Sequence, residues 1–166
     1  MKRDAFRIAP MKASHIRACG EIVANSDPWK RLNERIDFRT ALSGGRTHMR
    51  AHVCLAGTDP VGFILFTPEP VFARGGYLKA LGVAPAFRGQ GVGRRLLSFA
   101  ERVTASRAQN FFLCVSSFNR RAMAFYKSCG YSKAGSLRDL IVPGASENIF
   151  WKPLDKTSPH TRRTRQ

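Results

Sequence analysis

Long hydrophobic runs are missing from this 166-residue chain. Nothing in it approaches the roughly 20 consecutive apolar residues that cross a bilayer, so no membrane partner is expected. The opening stretch, MKRDAFRIAP, carries basic residues with no apolar segment behind them. That does not fit a secretory leader and predicts a cytoplasmic location. Cysteine is scarce as well. Cys19, Cys54, Cys114 and Cys129 never fall at C-x-x-C spacing, and each sits inside an apolar or periodic stretch. This spacing argues against a zinc site or a disulfide frame and predicts reduced, buried thiols with no bound metal.

Acidic residues are the other shortage. Lys and Arg number 28 against 11 Asp and Glu, a formal net charge of +17. The end of the chain, KPLDKTSPHTRRTRQ, holds Lys152, Lys156, Arg162, Arg163 and Arg165 against Asp155, so most of the excess lies elsewhere. A field of this sign steers polyanions; nucleic acid, acidic lipid and a phosphate-rich cofactor all satisfy it. The rest of the composition is ordinary, with 43% hydrophobic and 23% charged residues, the balance of a globular protein. The length suits one domain with a proper core. That domain is expected over residues 1–154, followed by a basic, disordered tail over 155–166.

The apolar pattern switches between strand and helix periods. FRIAP reads as a first strand. A helix is expected from about Ala13 to Asn25, with Ile16, Cys19, Ile22 and Val23 on one face. Asp27-Pro28 breaks it, Trp29 and Leu32 open a second short helix, and Gly44-Gly45 ends that one. MRAHVCLA alternates, with Met49, Ala51, Val53 and Leu55 on one face and His48, Arg50, His52 and Cys54 on the other. With the turn GTDP and the apolar VGFILF it makes a hairpin over 48–67. TPEPVFARGG is expected to be a proline-rich loop leading into the strand YLKALGV. After a glycine loop comes a helix with Val92, Leu96, Leu97, Ala100 and Val103 inside, then the strand FFLCVSS. NRRAMAFYKSCGY follows as a helix striped by Ala122, Phe125, Tyr126 and Cys129, with Gly130 at its C-terminal cap. Strands at YSKAGSL and ENIFWK close the chain. Hairpins dominate the first half and one strand–helix–strand crossover lies in the middle. The fold class is therefore mixed α/β (α+β), neither a doubly wound sheet nor a barrel.

The loop VAPAFRGQGVGRRLL places Gly89, Gly91 and Gly93 at alternate positions just before a helix. Glycine lets backbone approach a ligand closely and take positive φ. A helix N-terminus adds free N–H groups and the positive end of its dipole. Spacing decides against the two familiar nucleotide loops. The dinucleotide fingerprint G-x-G-x-x-G would need glycine where Arg94 stands, and no G-x-x-x-x-G-K-[ST] string occurs.

What remains is R-x-x-G-x-G, from Arg88 to Gly93, preceded by Val83 and Pro85. It resembles the signature V-x-P-x-x-[RQ]-G-x-G-x-[GA] of the GNAT superfamily of acyl-coenzyme A dependent N-acetyltransferases. The stretch SFNRRAMAFYKSCGY resembles that family's second motif, an Asn followed seven residues later by Tyr and then Gly-aromatic, here Asn119, Tyr126, Gly130 and Tyr131. The element order agrees from residue 5 to 152. The resemblance implies the GNAT fold: a central, mostly antiparallel sheet, splayed between strands four and five after a bulge, with flanking helices. It also implies direct transfer of an acetyl group from acetyl-CoA to a primary amine of a small molecule, peptide or protein. By the same resemblance, Arg88 and the backbone amides of Gly89, Gln90, Gly91, Val92, Gly93 and Arg94 hold the coenzyme A pyrophosphate. The pantetheine arm then runs along Leu81, Gly82 and Val83 and touches Asn119, and Tyr126 protonates the departing thiolate. Asn119 equally suits a helix N-cap, and Tyr126 a plain aromatic in its stripe.

The family's usual general bases are missing. The position six residues before the signature Val is Tyr77, and the position five residues before Asn119 is Cys114. Glu147 and Asp27 are the first candidates to replace them, followed by Glu34, Asp37, His52, Asp139 and a chain of water molecules. Trp29 lies in the connection that lines the acceptor pocket in this family, and Tyr77 is assigned to the acceptor side beside it. Two other classes stay open. The missing base keeps a non-catalytic acetyl-CoA sensor open although Tyr126 and Asn119 argue against it, and the charge motivates a nucleic-acid binder. The latter predicts exposed aromatics interleaved with basic residues, or a helix–turn–helix or zinc pattern, and the sequence has none. Arg88, Arg94, Arg95, Arg120 and Arg121 instead flank the two motifs. Pairing of the chain as a homodimer is left open.

Overall fold

The computed structural model describes residues 6–43, 48–72 and 74–154. Its strands are β1 (Phe6–Pro10), β2 (Arg50–Ala56), β3 (Asp59–Phe72), β4 (Gly75–Val83), β5 (Asn110–Ser116), β6 (Ser132–Arg138) and β7 (Ser146–Pro153). Its helices are α1 (Ile16–Ala24), α2 (Trp29–Leu32), α3 (Phe38–Leu42), α4 (Val92–Ala105) and α5 (Arg120–Ser128). The strands form one seven-stranded sheet in the order β1-β2-β3-β4-β5-β7-β6. Every pairing is antiparallel except β4–β5, the one that a helical crossover through α4 imposes.

Apolar spacing explains the layers. Val92, Leu96, Leu97 and Ala100 recur at helical spacing and are buried. They pack against Ile64, Phe66, Leu78, Phe111 and Leu113 on one face of the sheet. Cys19, Ile22 and Val23 of α1 pack on the other face with Val53, Leu55, Phe63, Leu65 and Ala80. The continuous apolar run of β3 follows from this two-sided cover, and so does β2, where Cys54 faces α4 while Val53 and Leu55 face α1. The strands after the crossover differ. Phe111, Leu113 and Phe150 pack with α4 and with Tyr126 of α5 on one face. Phe112, Cys114, Ile149 and Trp151, on the opposite face, belong to neither helix-backed cluster.

Three expectations change. The first helix begins as a 3-10 turn over Ala13–His15 and becomes α-helical at Ile16. The second helix is two. Asn33, left-handed at φ 52°, ends α2, and Asp37 starts α3 by accepting the amides of Arg39 (3.0 Å) and Thr40 (3.2 Å). Thr67–Phe72, expected as a loop, belongs to β3. β2 pairs with β3 only from Arg50, opposite Phe66, and the β4 ladder is interrupted between Thr67 and Phe72. Pro68 and Pro70 therefore stand where the ladder asks for no N–H. The glycine break at 44–45 and the expected disordered tail lie outside the described residues. Cys19 and Cys54 are buried, Cys114 and Cys129 half-buried, and all four thiols are free.

Candidate active site

The parallel pairing of β4 with β5 runs only from Gly75–Asn110 to Leu78–Leu113. Past that point each strand stays paired on its outer side, β4 to β3 and β5 to β7, while the inner edges part. A bulge marks the place: Leu65 faces Ala80 and Phe66 faces Leu78, which leaves Lys79 without a partner. The parted edges turn backbone N–H and C=O groups into a gap that a ligand can satisfy. The gap opens into a cleft of about 1310 Å³. Gly82 on its wall lies directly against the Phe63 ring, and a Cβ there would collide with it.

At one end of the cleft stands the N-terminus of the fourteen-residue α4, capped by Gly91 at φ 82°. The first backbone bond of the helix is Arg95 N–H to the Gly91 carbonyl, 3.0 Å. Among the described residues none of the six amides from Gly89 to Arg94 donates to a backbone carbonyl. A Cβ added at Gly89 or Gly91 would meet nothing within 4 Å. Six free donors, with open space at Gly89 and Gly91 and the positive end of a helix behind them, make a cradle for a pyrophosphate-sized anion.

Toward the sheet, the cleft carries ionisable groups. Tyr126 is 8% exposed. Its hydroxyl makes no hydrogen bond to any described residue, and burial pushes its phenol above the ordinary range. Tyr77 and Cys114 meet where the strands part and share a hydrogen bond; burial pushes both groups up. Glu147 on β7 is 7% exposed. Burial raises its carboxyl, a hydrogen bond from Ser116 opposes the rise, and the nearby Glu34 adds to it. Tyr77 lies within electrostatic reach of Cys114, Glu147 and Tyr126 together.

A family model described as the acetyltransferase (GNAT) family matches residues 15–131. The chain belongs to the GNAT family. It is similar to the N-alpha-acetyltransferase RimI of Mycobacterium tuberculosis, 28% identical over 140 residues, covering 82% of this chain and 78% of that protein. The peptidyl-lysine N-acetyltransferase YjaB of Salmonella typhimurium is 34% identical over 95 residues, 56% of this chain and 58% of that protein. Among solved structures, Ard1 from Thermoplasma volcanium superimposes with a TM-score of 0.76 at 18% identity, covering 92% of this chain and 99% of that one. The protein is thus an acetyl-CoA-dependent N-acetyltransferase acting on an amine. Among the described residues no cluster of side chains is arranged to hold a metal ion, and no helix is long and apolar enough to cross a membrane.

The cleft of this GNAT enzyme brings together most residues singled out by sequence. Asp27, Trp29, Tyr77, Leu81, Gly82, Val83, Arg88, Gly89, Gly91, Val92, Gly93, Arg94, Asn119, Tyr126 and Glu147 all line it. Gln90 does not, because its side chain turns back to the Ala86 carbonyl, 2.9 Å away. The guanidinium groups beside the loop are engaged within the protein. Arg88 donates to the Val83 carbonyl (3.1 Å) and to Ser26 Oγ (2.7 Å), and Arg94 to Ser128 Oγ (3.1 Å). They brace the loop and leave its backbone to face the anion site. Asn119 caps α5, its Oδ1 accepting Ala122 N–H at 3.1 Å. Trp29 both lines the cleft and packs on Phe63, with ring centroids 5.8 Å apart. Three base candidates drop back. Asp37 is held by its cap, and Asp139 accepts Gly144 N–H (2.7 Å) in the turn after β6. His52 sits on the opposite face against Phe99. Sequence reading missed Leu140 and Ile141, which line the cleft from the β6–β7 connection. Their signal was an apolar run, Leu140-Ile141-Val142, stranded between Asp139 and Pro143-Gly144.

Proposed function

We propose that this GNAT enzyme acetylates a free amine of a peptide or protein in the cytoplasm, with Glu147 as base and Tyr126 as acid. The observation that carries this reading is a nearly buried carboxyl, 7% exposed, in the same cleft as the six free loop amides. An α-amine has a pKa of about 8 and a lysine amine about 10.4, so either must lose a proton before it attacks. A carboxylate raised above its ordinary range is better matched to that task than an exposed one. Asp27, exposed on the α1–α2 wall, is the second candidate.

The steps follow from the placement of the groups. The loop amides anchor the pyrophosphate, and the unpaired edge of β4 at Leu81, Gly82 and Val83 receives the pantetheine arm. The amine, relieved of its proton by Glu147, attacks the thioester carbonyl. A backbone N–H of the parted edge stabilises the oxyanion. When the C–S bond breaks, Tyr126 O–H donates its proton to the leaving thiolate; the surplus proton on the new amide nitrogen leaves through solvent, which restores the phenol, and Glu147 returns its proton to solvent. No acyl-enzyme forms, so no activated nucleophile is required. The peptide acceptor draws support from RimI and YjaB, whose names place their action on N-terminal and lysine amines.

Release of coenzyme A thiol is to be measured with peptides bearing a free α-amine, with N-terminally blocked peptides bearing one lysine, and with small amines. Turnover of a peptide class is expected, and turnover of small amines alone overturns the acceptor assignment. Calorimetry separates the rival classes. Acetyl-CoA binding is expected to tolerate salt. Binding of RNA alone, falling steeply with salt, would indicate a nucleic-acid protein, and acetyl-CoA binding without turnover a sensor.

A further inference from the structure

The face of β5, β7 and β6 that lies outside both helix-backed clusters carries an apolar strip. Register places Phe112 opposite Trp151 and Cys114 opposite Ile149, with Leu137 of β6 opposite Glu147. The Phe112 ring lies over Gly75, stacks on Trp151 at 6.3 Å and meets Phe72 edge-on at 5.2 Å. Phe72, Leu137, Leu140 and Ile141 are 60%, 41%, 57% and 47% exposed, four of the five large apolar side chains exposed among the described residues. Phe72 and Leu137 lie along the strip and Leu140 and Ile141 in the β6–β7 connection that joins it to the cleft; exposed apolar groups so gathered mark an interaction surface.

Continuity with the cleft names the occupant. Cys114, Glu147, Leu140 and Ile141 line the cleft, and the next rungs of the same face are Ile149, then Trp151 with Phe112, then Phe72. An acceptor whose amine has entered the cleft thus lies with the rest of its chain over the strip. Beyond Glu147 at its cleft end the strip carries no charged side chain, and neither that carboxylate nor the apolar rungs suit a polyanion. The segment after Leu154, DKTSPHTRRTRQ, is polar and basic and brings nothing apolar to cover it. We infer that this face docks an extended segment of the acceptor polypeptide, with apolar side chains at alternate positions several residues beyond the acetylated amine. The inference rests on the peptide reading above.

The test uses the full chain and synthetic peptides sharing one N-terminal sequence with a free α-amine. One is about four residues long. The others have about ten, enough at about 3.3 Å per residue to reach Phe72, with either Leu and Phe or Ser at alternate downstream positions. The long apolar peptide is expected to have a KM about tenfold below the other two. Phe72→Ser and Leu137→Ser, both on exposed side chains, are expected to erase that advantage while the KM for acetyl-CoA and the rate with the short peptide stay unchanged. Equal KM values for all three peptides, or an advantage that survives both substitutions, overturns docking and leaves peptide acetylation intact. Turnover of no peptide overturns both. Sedimentation of the wild type and the two variants covers the remaining occupant: a dimer that the substitutions dissolve assigns the strip to a second copy and overturns the inference.

Discussion

The strands before the crossover and those after it are covered differently. β1 to β4 have α1 and α3 on one face and α4 on the other, and the middle of β2, β3 and β4 is buried on both. β5 and β7 share the α4 and α5 cluster on one face; on the other, Phe112, Ser116 and Glu147 are buried outside both helix-backed clusters, and β6 is exposed along nearly its whole length. The first half is a finished core that sets the wall of the cleft. The second half keeps one face for other molecules, and the chemistry sits on the seam between them. Residues on the two sides of that seam answer to different demands, and substitutions separate them.

The largest effect is expected in the finished half. Phe63 is fully buried against Trp29, Phe38 and Gly82. Phe63→Ala is expected to cost about 3–5 kcal/mol in urea denaturation. On the seam, Tyr126→Phe leaves packing intact and removes the proton donor. Thiol release is expected to fall about 100-fold or more with acetyl-CoA binding by calorimetry little changed, and an unchanged rate would remove Tyr126 from the chemistry. Glu147→Gln sharpens the seam further. The wild-type kcat/KM is expected to rise with pH through a value above the ordinary carboxylate pKa of about 4.3, because burial raises Glu147 and only its ionised form accepts a proton. The variant loses that limb. The sign for stability is opposite: a carboxyl raised in the folded state loses stability as pH climbs from the unfolded value through the folded one, and Gln removes that loss. The smallest effect belongs to the open half, where Leu137→Ser is expected to change stability by less than about 0.5 kcal/mol.

The sequence made different parts of this comparison visible. α4 and β3 were legible because their apolar residues follow one period without interruption. The loop was legible because Gly89 and Gly91 need backbone that other residues avoid, at φ 75° and 82°. The end of β3 was not, because Pro68 and Pro70 argue for a loop until it is known that β2 stops pairing at Phe66. Nor were the tasks of Arg88 and Arg94 legible, since their partners Ser26 and Ser128 lie 62 and 34 residues away. Glu147 stood out only as a spare carboxyl. What distinguishes it is burial, which comes from the pairing of β7 with β5 and which no local pattern encodes. The open face was hidden for the same reason, because alternation in β7 shows that two faces exist and not that one lies outside the helix-backed clusters.

Lys79, the residue the β3–β4 ladder skips, works as the stop on a zipper. An extra residue bends its strand and increases the local twist, and pairing with β5 ends one residue before it. A chain lacking Lys79 would still turn Leu78 toward α4 and Ala80 toward α1, so its core would keep every partner. Its fourth strand would run straight beside the fifth, and the zipper would close to the end. Such a protein would be sound and inert, since the room for the reaction exists because one residue is in excess.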